Sequence, residues 1–105
     1  QYNYPPTFQF IVFEFSHKDV EKTAAAARYF ATGMKHRLGD DCILGPSLPP
    51  VERVRNTYRR EVILKTTRNS SAAKQWRNAV RELEDYRKAE HAIRSVRLKI
   101  NVDAG

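Results

Sequence analysis

From Thr7 to Phe15 apolar positions recur on both phases of a two-residue alternation, with Phe8, Phe10 and Val12 on one and Ile11, Phe13 and Phe15 on the other. Successive strand residues face opposite sides, so this pattern predicts a central strand buried on both faces. Tyr4-Pro5-Pro6 before it is a stiff, extended lead that cannot donate ladder hydrogen bonds. Ser16-His17-Lys18-Asp19 fits a capping box, with Ser16 as the cap and Asp19 reaching back. A helix follows, because Val20, Ala24, Ala27, Ala31, Met34 and Leu38 recur at alternating spacings of four and three. Gly33 is its weak point and Gly39 its left-handed exit, with Asp40 and Asp41 in the turn. Cys42 to Leu44 reads as a short second strand, ended by Gly45-Pro46 and Pro49-Pro50, and Thr57 to Thr67 as a third. Asn69-Ser70-Ser71 caps a second helix with Ala72, Ala73, Trp76, Ala79, Val80, Leu83 and Tyr86 inward. From Ser95 to Ala104 the chain alternates, Val96, Leu98, Ile100 and Val102 inward against Arg97, Lys99, Asn101 and Asp103.

The order β-α-β-β-α-β with two amphipathic helices predicts an α+β fold. Its form is the ferredoxin-like split βαβ sandwich, a four-stranded antiparallel sheet with both helices on one face. At 105 residues, 41% of them hydrophobic, the chain is one domain with a single core. Its longest apolar run, Phe10 to Phe13, is strand-sized and far below a membrane span. The first residue is Gln1 and no basic-then-apolar leader follows, which fits a fragment of a longer protein. The lone Cys42 cannot form an internal disulfide or a zinc cluster, in keeping with a reducing, cytoplasmic setting. On its own it reads as a small buried hydrophobe beside Ile43.

Charge changes this picture. Residues 1 to 50 carry five charges of each sign, whereas residues 51 to 68 carry six basic residues against two acidic ones. Residues 69 to 105 add eight basic against five acidic, so the formal +7 sits in the second half. Such asymmetry fits a polyanion, whose phosphates release counterions when Lys and Arg neutralise them. A solvated basic face is the plainer reading of the same numbers. The link from Pro46 to Asn56 is stiffened by Pro46, Pro49 and Pro50 and is expected to present Arg53 and Arg55 as a tolerant, protruding arm. On the third strand Tyr58, Arg60, Val62 and Leu64 share the helix-packed face. Arg59, Ile63 and Lys65 are then expected on the open face beside Arg97 or Lys99, where a DNA strand or a neighbouring domain would lie.

No catalytic constellation is evident. Gly33, Gly39, Gly45 and Gly105 are isolated and build no phosphate-cradling loop. His17, His36 and His91 have no partner at metal-ligand spacing and read as solvated. Adjacent turn carboxylates such as Asp40-Asp41 are structural, and Trp76 on an apolar stripe is core. The third strand lacks the glycine and paired aromatics of an RNA-recognition motif. A module that uses its apolar strand faces to dock on a neighbour fits the same sequence.

Tyr4-Pro5-Pro6-x-Phe8, Leu44-Gly45-Pro46 with Pro49-Pro50 ahead of Tyr58-Arg59, Ile63-Leu64-Lys65 and Val102-Asp103 occur in this order. Together they resemble the C-terminal domain of primosomal protein N′, the replication-restart DNA helicase. The similarity covers nearly the whole chain and is most specific from Leu-Gly-Pro to Tyr-Arg. Chains of that family usually end Asp-Val-Asp-Pro, where this one has Asn101-Val102-Asp103-Ala104. The resemblance implies a non-catalytic DNA-binding and docking domain acting at stalled forks. It implies a parent whose ATP- and Mg-dependent 3′-to-5′ motor and structural zinc lie upstream, with no cofactor in this segment. Implied partners are branched DNA, the helicase core, other primosome proteins and the acidic tail of single-stranded-DNA-binding protein. The nucleic-acid-binding candidates are Arg53, Arg55, Arg59, Arg60, Lys65, Arg68, Arg97 and Lys99. The alternative is a stand-alone nucleic-acid-binding protein of the same fold.

Overall fold

The computed structural model describes residues 8–49 and 53–103. The Tyr4-Pro5-Pro6 lead, Thr7, Pro50 and Ala104 lie outside the described residues. Strand β1 (Phe8–His17) leads to helix α1 (Val20–Leu38) and a short 3-10 turn (Asp40–Cys42). Strands β2 (Ile43–Ser47), β3 (Arg53–Val54) and β4 (Thr57–Thr67) follow, then α2 (Ser70–Ala89) and β5 (Arg97–Asp103). All strand pairs are antiparallel, in the order β2-β4-β1-β5 with β3 bonded to β4. The fold is α+β, with two helices and a five-stranded sheet.

The sequence predicts four strands, and the fifth is the two-residue β3. Arg55 and Asn56 both take positive φ, 51° and 66°, as a two-residue type I′ turn requires. The end of the predicted arm therefore folds back as a hairpin, pairing Arg53 with Tyr58 and Val54 with Thr57. Two residues are too few for an alternation to be legible. Strand β2 also runs further than expected, through Gly45-Pro46 to Ser47, with its register shifting between Leu44 and Ser47.

Strand β1 is central, as its two-faced apolar pattern requires, lying between β4 and β5. Its Ile11, Phe13 and Phe15 are fully buried, with Leu64 opposite Ile11 and Val62 opposite Phe13. The Phe13 ring lies 4.7 Å from Phe30 of α1 and 6.3 Å from Trp76 of α2, so both helices cover this face.

Helix α1 begins later than the capping-box reading places it. Ser16 stays in β1, and the cap is Asp19, whose Oδ1 accepts from the Glu21 and Lys22 amides. The buried stripe is accordingly Thr23, Ala26, Ala27, Phe30, Ala31 and Met34, while Val20, Ala24 and Leu38 are half-buried. Gly33 answers a packing need: a Cβ there would run into the side chain of Leu83, which is itself buried and has little room to yield. Its absence lets α1 and α2 approach, at the known cost of a helical glycine. Gly39 exits at φ 106°, donating to the Lys35 carbonyl.

Helix α2 is capped by Asn69, whose Oδ1 accepts from the Ala72 amide at 2.7 Å. Trp76, Ala79, Val80 and Leu83 are buried as predicted, but Tyr86 is 69% exposed and Arg87 takes the next inward position. Positions 76, 80, 83 and 87 continue the four-three-four stripe. The apolar body of Tyr86 suits that stripe chemically but falls one residue early. On β5, Ile100 and Val102 are 42% and 52% exposed although they lie opposite the buried Phe13 and Ile11. The alternation is right and the burial is not, because β5 is an edge strand and α2 packs towards α1 and β4.

Candidate nucleic-acid interface

The register brings basic residues together on the sheet face turned from the helices. Ser16 of β1 lies between Arg59 of β4 and Arg97 of β5, and Glu14 lies between Glu61 and Lys99. Opposite residues of antiparallel strands share a face. Arg59, Lys65, Arg97 and Lys99 are thus on the open side, as the strand alternation predicts. Arg59 does not project simply into solvent: its Nη1 donates to Glu14 Oε2 at 2.8 Å. Further along, Val12, Ile63 and the exposed Leu44 share one row and the exposed Phe10 adjoins it, an apolar patch flanked by charge.

The other candidates fall into separate groups. Arg53 and Arg55 occupy the exposed hairpin, where the Arg53 guanidinium stacks 5.4 Å from the Tyr58 ring centre and donates to Asn56 Oδ1. Lys65 and Arg68 lie at the opposite end of β4, the Lys65 ammonium 4.5 Å from the Phe8 ring centre and Arg68 Nε donating to the Phe8 carbonyl. Arg60 is on the helix side, opposite Phe15, donating to the Arg59 carbonyl. It borders a cavity of about 290 Å³ with Ala24, Arg28, Pro46, Ser47 and Leu48. The eight residues form no single cluster.

Residues outside that set form a larger concavity. Between the solvent-facing sides of α1 and α2 lies a groove of about 700 Å³, lined by Ala25, Arg28, Tyr29, Thr32, Gly33, His36, Arg37, Leu83 and Tyr86. Arg37 is held there by Glu82 at 3.1 Å and by the Gly33 carbonyl. Burial pushes the Tyr29 phenol above its ordinary range, an effect that the nearby Arg37 opposes. The available signal was Arg28, Thr32 and His36 at successive spacings of four, which puts them on one helix face.

Two further groups have structural work. His17 Nδ1 accepts from the Asp19 amide at 2.9 Å, which fixes the Nε2–H tautomer, and Nε2 lies 3.2 Å from Ser95 Oγ. The imidazole therefore donates to Ser95 and cannot serve as its general base. The solvated reading of His17 is replaced by that of a turn-fixing side chain. Cys42 is half-buried, its thiol donating to the Leu38 and Gly39 carbonyls. Gly45 has φ 102°, and a Cβ there would meet the Glu61 carbonyl oxygen at 2.8 Å. The Leu44-Gly45-Pro46 motif thus needs its glycine where β2 bends along β4. Among the described residues no helix is long and apolar enough to cross a membrane.

A family model for the primosomal protein N C-terminal domain matches residues 1–104. The chain belongs to this family. The replication restart protein PriA of Bacillus subtilis (strain 168) is 36% identical to this chain over 64 residues. The match covers 60% of this chain and 8% of that protein, so the chain spans under a tenth of that relative's length. The Leu44-Gly45-Pro46 and Tyr58-Arg59 segments lie on adjacent strands, with Leu44 of β2 opposite Ile63 of β4 and Ser47 opposite Glu61.

Proposed function

We propose that this chain is a non-catalytic DNA-binding and docking domain of a replication-restart helicase. The observation that carries the reading is the family match over 1–104, joined to a positive charge concentrated in the second half of the sequence. The strand order β2-β4-β1-β5 with a helix after β1 and another after β4 supports the ferredoxin-like split βαβ description. The fold alone would not select a function.

In this reading the sheet docks and the cations reach DNA. Phe10, Val12, Leu44 and Ile63 supply the apolar centre of a contact with the helicase core, and the surrounding charges set its orientation. Arg53 and Arg55 on the hairpin, Lys65 and Arg68 at the far strand end, and Arg59, Arg60, Arg97 and Lys99 meet phosphates of branched DNA. They position without reading bases, since contacts from Lys and Arg to phosphates fix register and orientation but carry no sequence information. Other primosome proteins and the acidic tail of single-stranded-DNA-binding protein are further partners. ATP, magnesium and structural zinc belong to the parent's other domains. The second reading, a stand-alone nucleic-acid-binding protein, is favoured only by the chain's having a contiguous hydrophobic core of its own.

The test is a titration of the chain with forked DNA at several salt concentrations. Contact with about four phosphates gives a slope of log K against log salt near −3 to −4. A flat response, or strong preference for one sequence, sinks the DNA-binding part of the proposal.

A further inference from the structure

Arg28 borders both concavities on the helix side of the molecule, the groove between α1 and α2 and the smaller cavity beside Arg60. Through it the two form one track. Along that track lie Arg60, Arg28, His36 and Arg37; the carboxylate nearest to it by contact is Glu82, which pairs with Arg37 at the groove's edge and leaves Arg28 to carry the charge between the two concavities. Arg28 and His36 are eight residues apart on α1, about 12 Å along the axis. Between them the groove presents Tyr29, half-buried, and on the facing helix Tyr86, 69% exposed. Tyr86 is off the core stripe, and its packing against the domain does not explain an aromatic there. Gly33 and Ala25 leave the floor shallow beside it.

We infer that this track is a second nucleic-acid site, one that takes single-stranded DNA, with phosphates on Arg60, Arg28 and His36 and an unstacked base against Tyr86 in the groove. The inference rests on the DNA-binding reading above but adds a surface distant from the open sheet face. Cations following a backbone beside an aromatic ring are the elements of sequence-tolerant single-strand binding, because every base has a ring face to stack. A duplex, whose bases are already stacked, has nothing to place in the groove. An acidic peptide with an apolar anchor is the competing occupant. It would use the groove but leave the polar continuation past Pro46, Ser47 and Arg60 without a role.

The experiment measures anisotropy of a labelled oligothymidylate of about 15 nucleotides with the 105-residue chain and its variants, each first shown to melt as the wild type does. Tyr86→Ala is expected to weaken binding about tenfold and Tyr86→Phe to retain it, since the ring and not the hydroxyl carries the contact. Arg28→Glu should weaken it at least as much, and 5-iodouracil in the oligonucleotide should crosslink to Tyr86. Unchanged affinity in Tyr86→Ala and Arg28→Glu, with loss in Arg97→Ala or Lys99→Ala, overturns this inference and leaves the DNA-binding reading standing. If the wild type binds neither oligothymidylate nor forked DNA, both fall. Binding of an Asp-rich peptide ending in Phe that Tyr86→Ala abolishes, with oligothymidylate binding unaffected, assigns the groove to protein.

Discussion

Arg87 is the charged residue that the core cannot do without. It is 4% exposed, and its guanidinium is gripped by both Glu84 carboxylate oxygens at 2.7 Å and donates to the Ile93 and Val96 carbonyls. A flat five-donor fork satisfies this set, whereas an ammonium cannot span it. Removing it leaves Glu84 and two carbonyls without their donor in a poorly hydrated place. Arg87→Ala should therefore cost about 3 kcal/mol in urea unfolding, and Arg87→Lys most of that, since breaking a buried pair exposes its desolvation penalty. Cys42 illustrates a milder effect at the same scale. Burial raises its thiol pKa and so lowers the thiolate fraction at a given pH, with Asp41 and Asp40 acting in the same direction. Its place beside Ile43, packed against the core, needs no reactivity.

At the scale of elements, the β3–β4 hairpin sets backbone strain against the DNA-binding role proposed for its arginines. Asn56 tolerates its left-handed conformation, but Arg55 holds φ 51° with a long side chain that makes no hydrogen bond or ion pair among the described residues. Strained positions that survive in a fold point to a use. Arg55→Gly should raise stability by about 0.5–1 kcal/mol while weakening forked-DNA binding, as thermal melting and a binding titration together would show. If affinity is unchanged, the arginine is merely tolerated there. The contrast with Gly33 and Gly45 is instructive. Those glycines are fixed by neighbours, Leu83 and the Glu61 carbonyl, and sequence periodicity marks the first only as a weakness.

The whole molecule carries +7 with ion pairs such as Arg37–Glu82, Arg59–Glu14 and Arg87–Glu84 dispersed over different surfaces. Net repulsion is long-ranged and screened by salt, whereas a paired Arg87 is shielded from it. Raising NaCl from about 50 to 300 mM should thus increase the melting temperature, in the direction opposite to its effect on DNA affinity. A fall in melting temperature would mean that surface ion pairs outweigh the repulsion. The charge is also divided between faces: Arg97 and Lys99 lie on the open sheet, Arg28 and Arg37 on the helical side. That division is what the two proposed surfaces, one for a neighbouring domain and one for a DNA strand, require.

The sequence by itself determined the element order, the central place of β1, the opposite faces of Arg59 and Arg60, and the family. Each follows from local periodicity or from motifs read in chain order, because a strand's two-residue and a helix's 3.6-residue repeat are properties of the backbone alone. Tertiary structure decided what lies beside what. The cap moved from Ser16 to Asp19 because Ser16 is bound into the sheet, Tyr86 faces outward because Arg87 has carbonyls to hold, and β5 leaves Ile100 and Val102 open because α2 leans away. The groove that unites Arg28, Tyr29, His36 and Tyr86 joins residues 28 and 86, separated by a whole β-β unit of chain. No local repeat encodes such a meeting; it exists only once Gly33 has let Leu83 bring the two helices together.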